Sequence, residues 1–163
     1  MKYKLHFCVC AAGLLLCTGI GFAFQKQIAE SFQRHRLERN VADLRSGDFH
    51  ANRRAQAEIV SAGKPALPLL FDTINSSKDS DQISLCCYLI GQIDGESYAS
   101  ALTRFAVPGK FCVILCYPNR AAINKLSHER KEDLLSHFRK LDTQASKEES
   151  ACVRNFLEFN STN

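Results

Sequence analysis

The sequence predicts an all-α protein: an N-terminal membrane-spanning or signal segment, followed by a small superhelical domain of α-α hairpins. Three observations lead there. Residues 7–24 carry no charge. From Asp48 onward, apolar residues recur at the three- and four-residue spacing of one helix face. Two successive helix pairs in that region also match each other when Gly63 is laid on Gly95, an offset of 32 residues. The length of 163 residues suits one domain, or one domain with an appendage. A composition of 45% hydrophobic and 23% charged residues is that of an ordinary folded protein, and excludes disorder, collagen and a polytopic membrane protein. The net charge is +4, but Lys2 and Lys4 supply two of those charges, so the rest of the chain stands near +2. That balance makes no electrostatic case for a nucleic-acid partner.

The first element, residues 1–24, begins with a short basic stretch and continues into the 18-residue apolar run. At about 1.5 Å per residue such a helix spans roughly 27 Å, close to the ~30 Å of a bilayer core. The run exceeds the 7–15 apolar residues of a cleavable signal, which favours a retained signal anchor. Gly21-Phe22-Ala23 keeps a signal-peptidase reading open, and with it secretion. Two weaker readings are a lipoprotein signal at Leu14-Leu15-Leu16-Cys17, where Leu16 is large for its position, and a buried N-terminal helix. Orientation rests on opposed signals. Lys26, Arg34, Arg36 and Arg39 outnumber Lys2 and Lys4, whereas the short basic start favours export, and an extracytoplasmic domain is the expectation.

Residues 25–47 read as a polar juxtamembrane helix. Ile28 and Phe32 share one face, and Leu37, Val41 and Leu44 share a nearly opposite one. The first pair continues the anchor and the second set begins the folded domain. Arg34, Arg36 and Arg39 either face acidic headgroups or form a solvated surface with Glu30 and Glu38, the simpler reading. The domain proper is expected over residues 48–159, with a short tail at 160–163.

Within it, Ala51, Ala55, Ile59 and Ala62 form the stripe of a first helix, which Gly63 ends, and Pro65 opens the next. Ala66, Leu67, Leu69, Leu70, Phe71 and Ile74 make that second helix apolar around most of its circumference, and it is expected to be the buried one. A polar loop at residues 75–81 offers Ser80 or Asp81 as the cap of a third helix carrying Ile83, Cys86, Cys87, Ile90 and Ile93. Asp94-Gly95 breaks the chain before a fourth stripe of Tyr98, Ala101, Leu102 and Phe105. The offset pairs Ala55 with Cys87, Ala66 with Tyr98 and Leu70 with Leu102, and a period of this length in paired helices marks an α-solenoid. After Val107-Pro108-Gly109, the apolar run at 111–117 fits a helix better than a strand in this helical context. Pro118-Asn119 starts a short helix, Ser127 caps another, and Ser146-Lys147-Glu148-Glu149 is a capping box. The last two helices form an amphipathic hairpin that closes the array.

The segment Arg53-Arg54-Ala55, Ile59, Gly63, Ala66-Leu67-Pro68 and Leu70 resembles a HEAT-like repeat of the short bacterial type, and Leu89-Ile90-Gly91 is similar to the end of the first helix in such repeats. The resemblance covers residues 48–105. The second copy departs from it, with Ser97 in place of Pro65 and glycines at both 91 and 95. The resemblance implies a concave helical surface that binds a protein partner or a second copy, with no cofactor and no catalytic residue.

The rival reading rests on cysteine and histidine. Cys8, Cys10 and Cys17 fall in the apolar run, leaving Cys86, Cys87, Cys112, Cys116 and Cys152, an odd number that cannot all pair within one chain. Cys86, Cys87, Cys112 and Cys116 with His128 or His137 could serve a zinc ion or a cysteine-based enzyme, but none shows a C-x-x-C spacing. Buried apolar filler is the expected role of these cysteines, ahead of a disulfide or a metal site. The sequence at 128–132 lacks the second histidine of a zinc-protease helix, Gly109-Lys110 lacks the rest of a P-loop, and no Gly-x-Ser-x-Gly elbow occurs. Asn75-Ser76-Ser77 and Asn160-Ser161-Thr162 match glycosylation sequons.

Overall fold

Short polar side chains set where the helices begin. In the computed structural model, which describes Gln25 and residues 27–107, 111–115 and 117–161, every regular element is helical and no strand occurs among those residues. Asp48 accepts from the amides of His50 (2.8 Å) and Ala51 (3.3 Å) and starts α2, Phe49–Ala62. Asp79, rather than Ser80 or Asp81, caps α4 (Ser80–Ile93), because its extended backbone lets the carboxylate take the amides of Asp81 and Gln82. Asp94 ends α4 and caps α5 (Gly95–Phe105). The Ser97 hydroxyl, at 2.6 Å, holds the Asp94 carboxyl below its ordinary pKa, helped by the Ser97 amide and by Lys64 at 3.4 Å. Each such cap satisfies backbone donors that the helix leaves open.

Gly63 ends α2 with φ +67°, a left-handed conformation that glycine adopts without steric cost. Pro65 then sits in a single 3-10 turn, Lys64–Ala66, that leads into α3, Leu67–Ser76. The short helices α6 (Phe111–Ile114) and α7 (Arg120–Ile123) precede the hairpin of α8 (His128–Asp142) and α9 (Lys147–Ser161). The run at 111–117 thus yields one helical turn, with Leu115 already in a turn. Ser127 caps α8 through the Arg130 amide, and Ser146 and Glu149 exchange the reciprocal bonds of a capping box at the start of α9.

The chain divides into two compact units, Met1–Arg39 and Asn40–Asn163. Residues 27–43 form α1. Among the described residues no helix is long and apolar enough to cross a membrane, and the apolar run at 7–24 lies outside them.

In the second unit the innermost helix is α4, not α3 as the leucine-rich sequence of α3 suggested. Eight residues of α4 are buried, from Gln82 to Gly91, whereas Leu67, Leu69 and Phe71 of α3 are only half-buried. Size is the reason. Ser84, Cys86, Cys87 and Gly91 are small enough for α2, α3, α5, α6 and α7 all to approach α4. The Ser84 hydroxyl also bonds to the Val113 carbonyl of α6. Ile59, Leu70, Ile90 and Leu102 have no exposed surface, and the paired positions Ala55 and Cys87, and Ala66 and Tyr98, are likewise buried.

Gly91 and Gly95 are where α7 docks. A Cβ on Gly91 would stand 2.7 Å from Asn119 Nδ2, and one on Gly95 would stand 2.7 Å from the Ala122 carbonyl oxygen. Asn119 is buried and fully engaged. Its Oδ1 accepts from the Ala122 amide at 3.0 Å, its Nδ2 donates to the Tyr88 carbonyl at 3.4 Å, and its own amide donates to Tyr98 Oη at 3.0 Å.

Truncating Leu70 to Ala is expected to cost about 2–5 kcal/mol in urea unfolding, while Lys78→Ala in the exposed loop stays within about 0.5 kcal/mol. Gly95→Ala is expected to destabilise by about 1–3 kcal/mol, because the carbonyl it meets is backbone and cannot rotate away. Gly47→Ala, where nothing stands within 4 Å, is the control and leaves the midpoint nearly unchanged.

Candidate functional site

The face of α4 turned toward α2 carries Asp81, Gln82, Leu85 and Tyr88, which fall at helical spacing beside the buried stripe. On α2, Asn52 and Gln56 stand one turn apart. Between them lies a cleft of about 530 Å³ that Leu44, Arg45, Asp79 and Tyr117 also line. Asn52 Nδ2 donates to the Leu44 carbonyl at 2.7 Å, and Gln56 Nε2 donates to Asn52 Oδ1 at 2.5 Å, so this wall is held by its own hydrogen bonds. Gln82 is fixed by the Ser77 hydroxyl at 2.7 Å. Arg45 and Asp79 approach to 3.9 Å at the mouth, an exposed pair worth about 0–1 kcal/mol.

The lining therefore combines three kinds of chemistry. Leu44, Leu85 and the two tyrosine rings are apolar surface, and Tyr117 is half exposed at 51%. Asn52, Gln56 and Gln82 are neutral groups that both donate and accept. Asp79 and Asp81 put negative charge at one end, opposed by Arg45. Convergent polar groups over an apolar floor are the composition of a binding cleft.

None of these residues stood out in the sequence as a site: Leu44 read as part of an apolar stripe, Asp81 as a candidate helix cap and Asp79 as part of a polar loop. Their signal is positional. Asn52, Gln56, Asp81 and Gln82 are polar residues beside the apolar stripes of α2 and α4, and only packing brings the two borders together.

The cysteines and histidines are dispersed. Cys86 and Cys87 are fully buried on α4, and desolvation pushes both thiols up to about 12. A metal ligand or a nucleophile must be a thiolate, and burial holds these two protonated at neutral pH. They have the filler role the sequence suggested. Cys112 and Cys152 do not. They form a disulfide with their Cα atoms 5.5 Å apart, tying α6 to α9, which corrects the expectation of buried free thiols. Their pairing across 40 residues comes from packing α6 on α9, which no local spacing encodes. Cys116 lies outside the described residues. His128 is exposed at the first turn of α8. His137 is a boundary residue whose ring meets Phe138 edge-on at 5.7 Å, with Nε2 buried and no hydrogen-bond partner for it among the described residues. Among the described residues no three His, Cys, Asp or Glu side chains converge on a point that would hold a metal. Of the sequon asparagines, Asn75 is exposed and Asn160 is buried, its side chain donating to the Phe156 carbonyl at 2.8 Å. The chain matches no protein-family model, no curated protein and no solved structure.

Opening the disulfide removes the constraint on a loop of 40 residues, worth about 4 kcal/mol on the chain-entropy relation. Reductant, or the double variant Cys112→Ser with Cys152→Ser, is therefore expected to lower stability by about 2–4 kcal/mol in urea titration. Mass spectrometry after maleimide treatment of the native reduced protein should find label on Cys112 and none on Cys86 or Cys87.

Proposed function

We propose that this is a membrane-tethered or exported helical-repeat protein that acts as an interaction module, with the cleft between α2 and α4 receiving a segment of a protein partner. The observation that carries the reading is the cleft's mixed lining. Its amides suit the donors and acceptors of a peptide backbone, Leu85 and the tyrosines suit an apolar side chain, and Asp79 with Asp81 favours a basic residue at one end. The HEAT-like assignment belongs to the same proposal. It is supported by the paired burial of Ala55 with Cys87 and of Leu70 with Leu102 at one offset. The Cys112–Cys152 disulfide supports an oxidising compartment, and so an exported domain. The rival, a small cysteine- and histidine-based enzyme or metal protein, finds no support in thiols that are buried and protonated or already paired.

The test is affinity capture with the detergent-solubilised full-length chain, comparing wild type with the double variant Asp81→Lys and Tyr117→Ala. Both side chains are exposed, so the fold is kept. Loss of about 10–100-fold in affinity for a partner recovered by the wild type is expected, at about 1.4 kcal/mol per tenfold. Equal recovery by both would remove the cleft from the proposal, and recovery of the chain itself as the cleft-dependent partner would identify self-association.

A further inference from the structure

Tyr117 lines the proposed cleft, yet among the described residues no hydrogen bond or ring contact holds its side chain. Its place in the wall is therefore set by the backbone on either side. On the C-terminal side stands Asn119, buried and bonded to Tyr88 and Tyr98. On the N-terminal side stands α6, a helix of four residues that is too short to hold its own shape. It is kept in place by buried Ile114, by the Val113 carbonyl that accepts from Ser84 on α4, and by the bond from Cys112 to Cys152 on α9. The longer helix α9 is secured without that bond. Its Val153 and Phe156 are buried, and the Phe156 ring meets Phe138 of α8 at 4.6 Å. Of the two helices joined through sulfur, α6 is the one that depends on the bridge. The bridge is also reachable, because Cys112 is exposed and Cys152 half-buried, whereas Cys86 and Cys87 are sealed in the core. Exposed disulfides are the ones open to attack by thiols and suited to control.

We propose that the Cys112–Cys152 disulfide is a redox control on the cleft: intact, it holds Tyr117 in the wall, and its reduction by a dithiol loosens α6 and weakens partner binding. The inference rests on the cleft reading and adds the regulation of that site. A thiolate of the reductant attacks the exposed Cys112 sulfur, forming a mixed disulfide and expelling Cys152 as a thiolate, which takes up a proton. The reductant's second thiolate then attacks its own sulfur in the mixed disulfide and releases Cys112. Two electrons pass to the protein, and the dithiol leaves as a disulfide. The Asn119 contacts contain no sulfur and survive the exchange, so the unit stays folded while Tyr117 keeps only one of its two fixed sides. Loosening of one weakly held segment, with the rest of the core intact, is the local kind of opening that binding sites draw on.

The chain contains no tryptophan, so Tyr117→Trp supplies a single reporter in the cleft wall, and Phe49→Trp on α2 is the comparison. The detergent-solubilised full-length chain would be measured before and after dithiothreitol, with loss of the disulfide checked by mass after alkylation. Reduction is expected to raise iodide quenching of Y117W at least about two-fold and to leave F49W unchanged. Cys112→Ser with Cys152→Ser should give the raised value without reductant. Equal Y117W quenching in both states, with the disulfide shown to be open, would overturn the control. In affinity capture, reduction should weaken wild-type binding about five-fold or more, and should change binding by Tyr117→Ala little, since the group being positioned is gone. An equal loss in wild type and Tyr117→Ala would give the disulfide a role in stability alone and overturn the control. Unchanged wild-type affinity after reduction would overturn the control and leave the cleft reading standing. An oxidised wild type that recovers no partner dependent on Asp81 and Tyr117 would overturn the cleft reading and the control with it.

Discussion

Asn119 can enter the folded unit only because α4 carries no side chain at Gly91, and α7 can follow it because Gly95 of α5 leaves room for the Ala122 carbonyl. The Asn119 amide bonds to the Tyr98 hydroxyl, its side chain reaches the Tyr88 carbonyl, and its oxygen starts α7. Tyr98 is itself sealed in, and burial raises its phenol to about 12, so the hydroxyl stays protonated. A buried polar network of this kind is stabilising only when every member is satisfied. Close packing around the two glycines achieves that, and from there α7 meets α4, α5 and α9. The first two hairpins and the last one are joined through this contact.

The same constraint explains why α4 is the innermost helix. A helix touched from several sides needs small residues, and α4 has Ser84, Cys86, Cys87 and Gly91 where α3 has leucines. Large side chains gain more per residue from burial, but they also hold neighbours at a distance, so the richer apolar helix ends up at the edge of the core. The buried cysteines then follow from their volume and need no chemistry.

How much of this was legible in the sequence depended on range. Local features were: Gly63 as a stop, Asp94-Gly95 as a break, Ser127 as a cap and the Ser146–Glu149 box all act within four residues, and the stripe positions Ile59, Leu70, Ile90 and Leu102 are buried as their spacing indicated. The cap of α4 was missed by one residue because three neighbouring polar side chains are equally able to accept a bond, and only the extended backbone at Asp79 selects one. What remained hidden was long-range. The pairing of Cys112 with Cys152, the centrality of α4 and the cleft each depend on which helices meet. Tyr117 joins Asn52 and Tyr88 by position in space alone. Gly91 was the signal of a visiting side chain, Asn119, readable only once the visitor was placed.

The Cys112–Cys152 bond has a topological consequence. Together with the backbone it closes residues 112–152 into a covalent ring that contains α7, α8 and the first turn of α9. A single cut by a protease inside that ring opens it without releasing a fragment, because both new ends stay attached through sulfur. Two breaks of different kinds, one hydrolytic and one reductive, are required before the closing hairpin can leave. In an oxidising medium this part of the molecule tolerates nicking that would divide an ordinary chain in two.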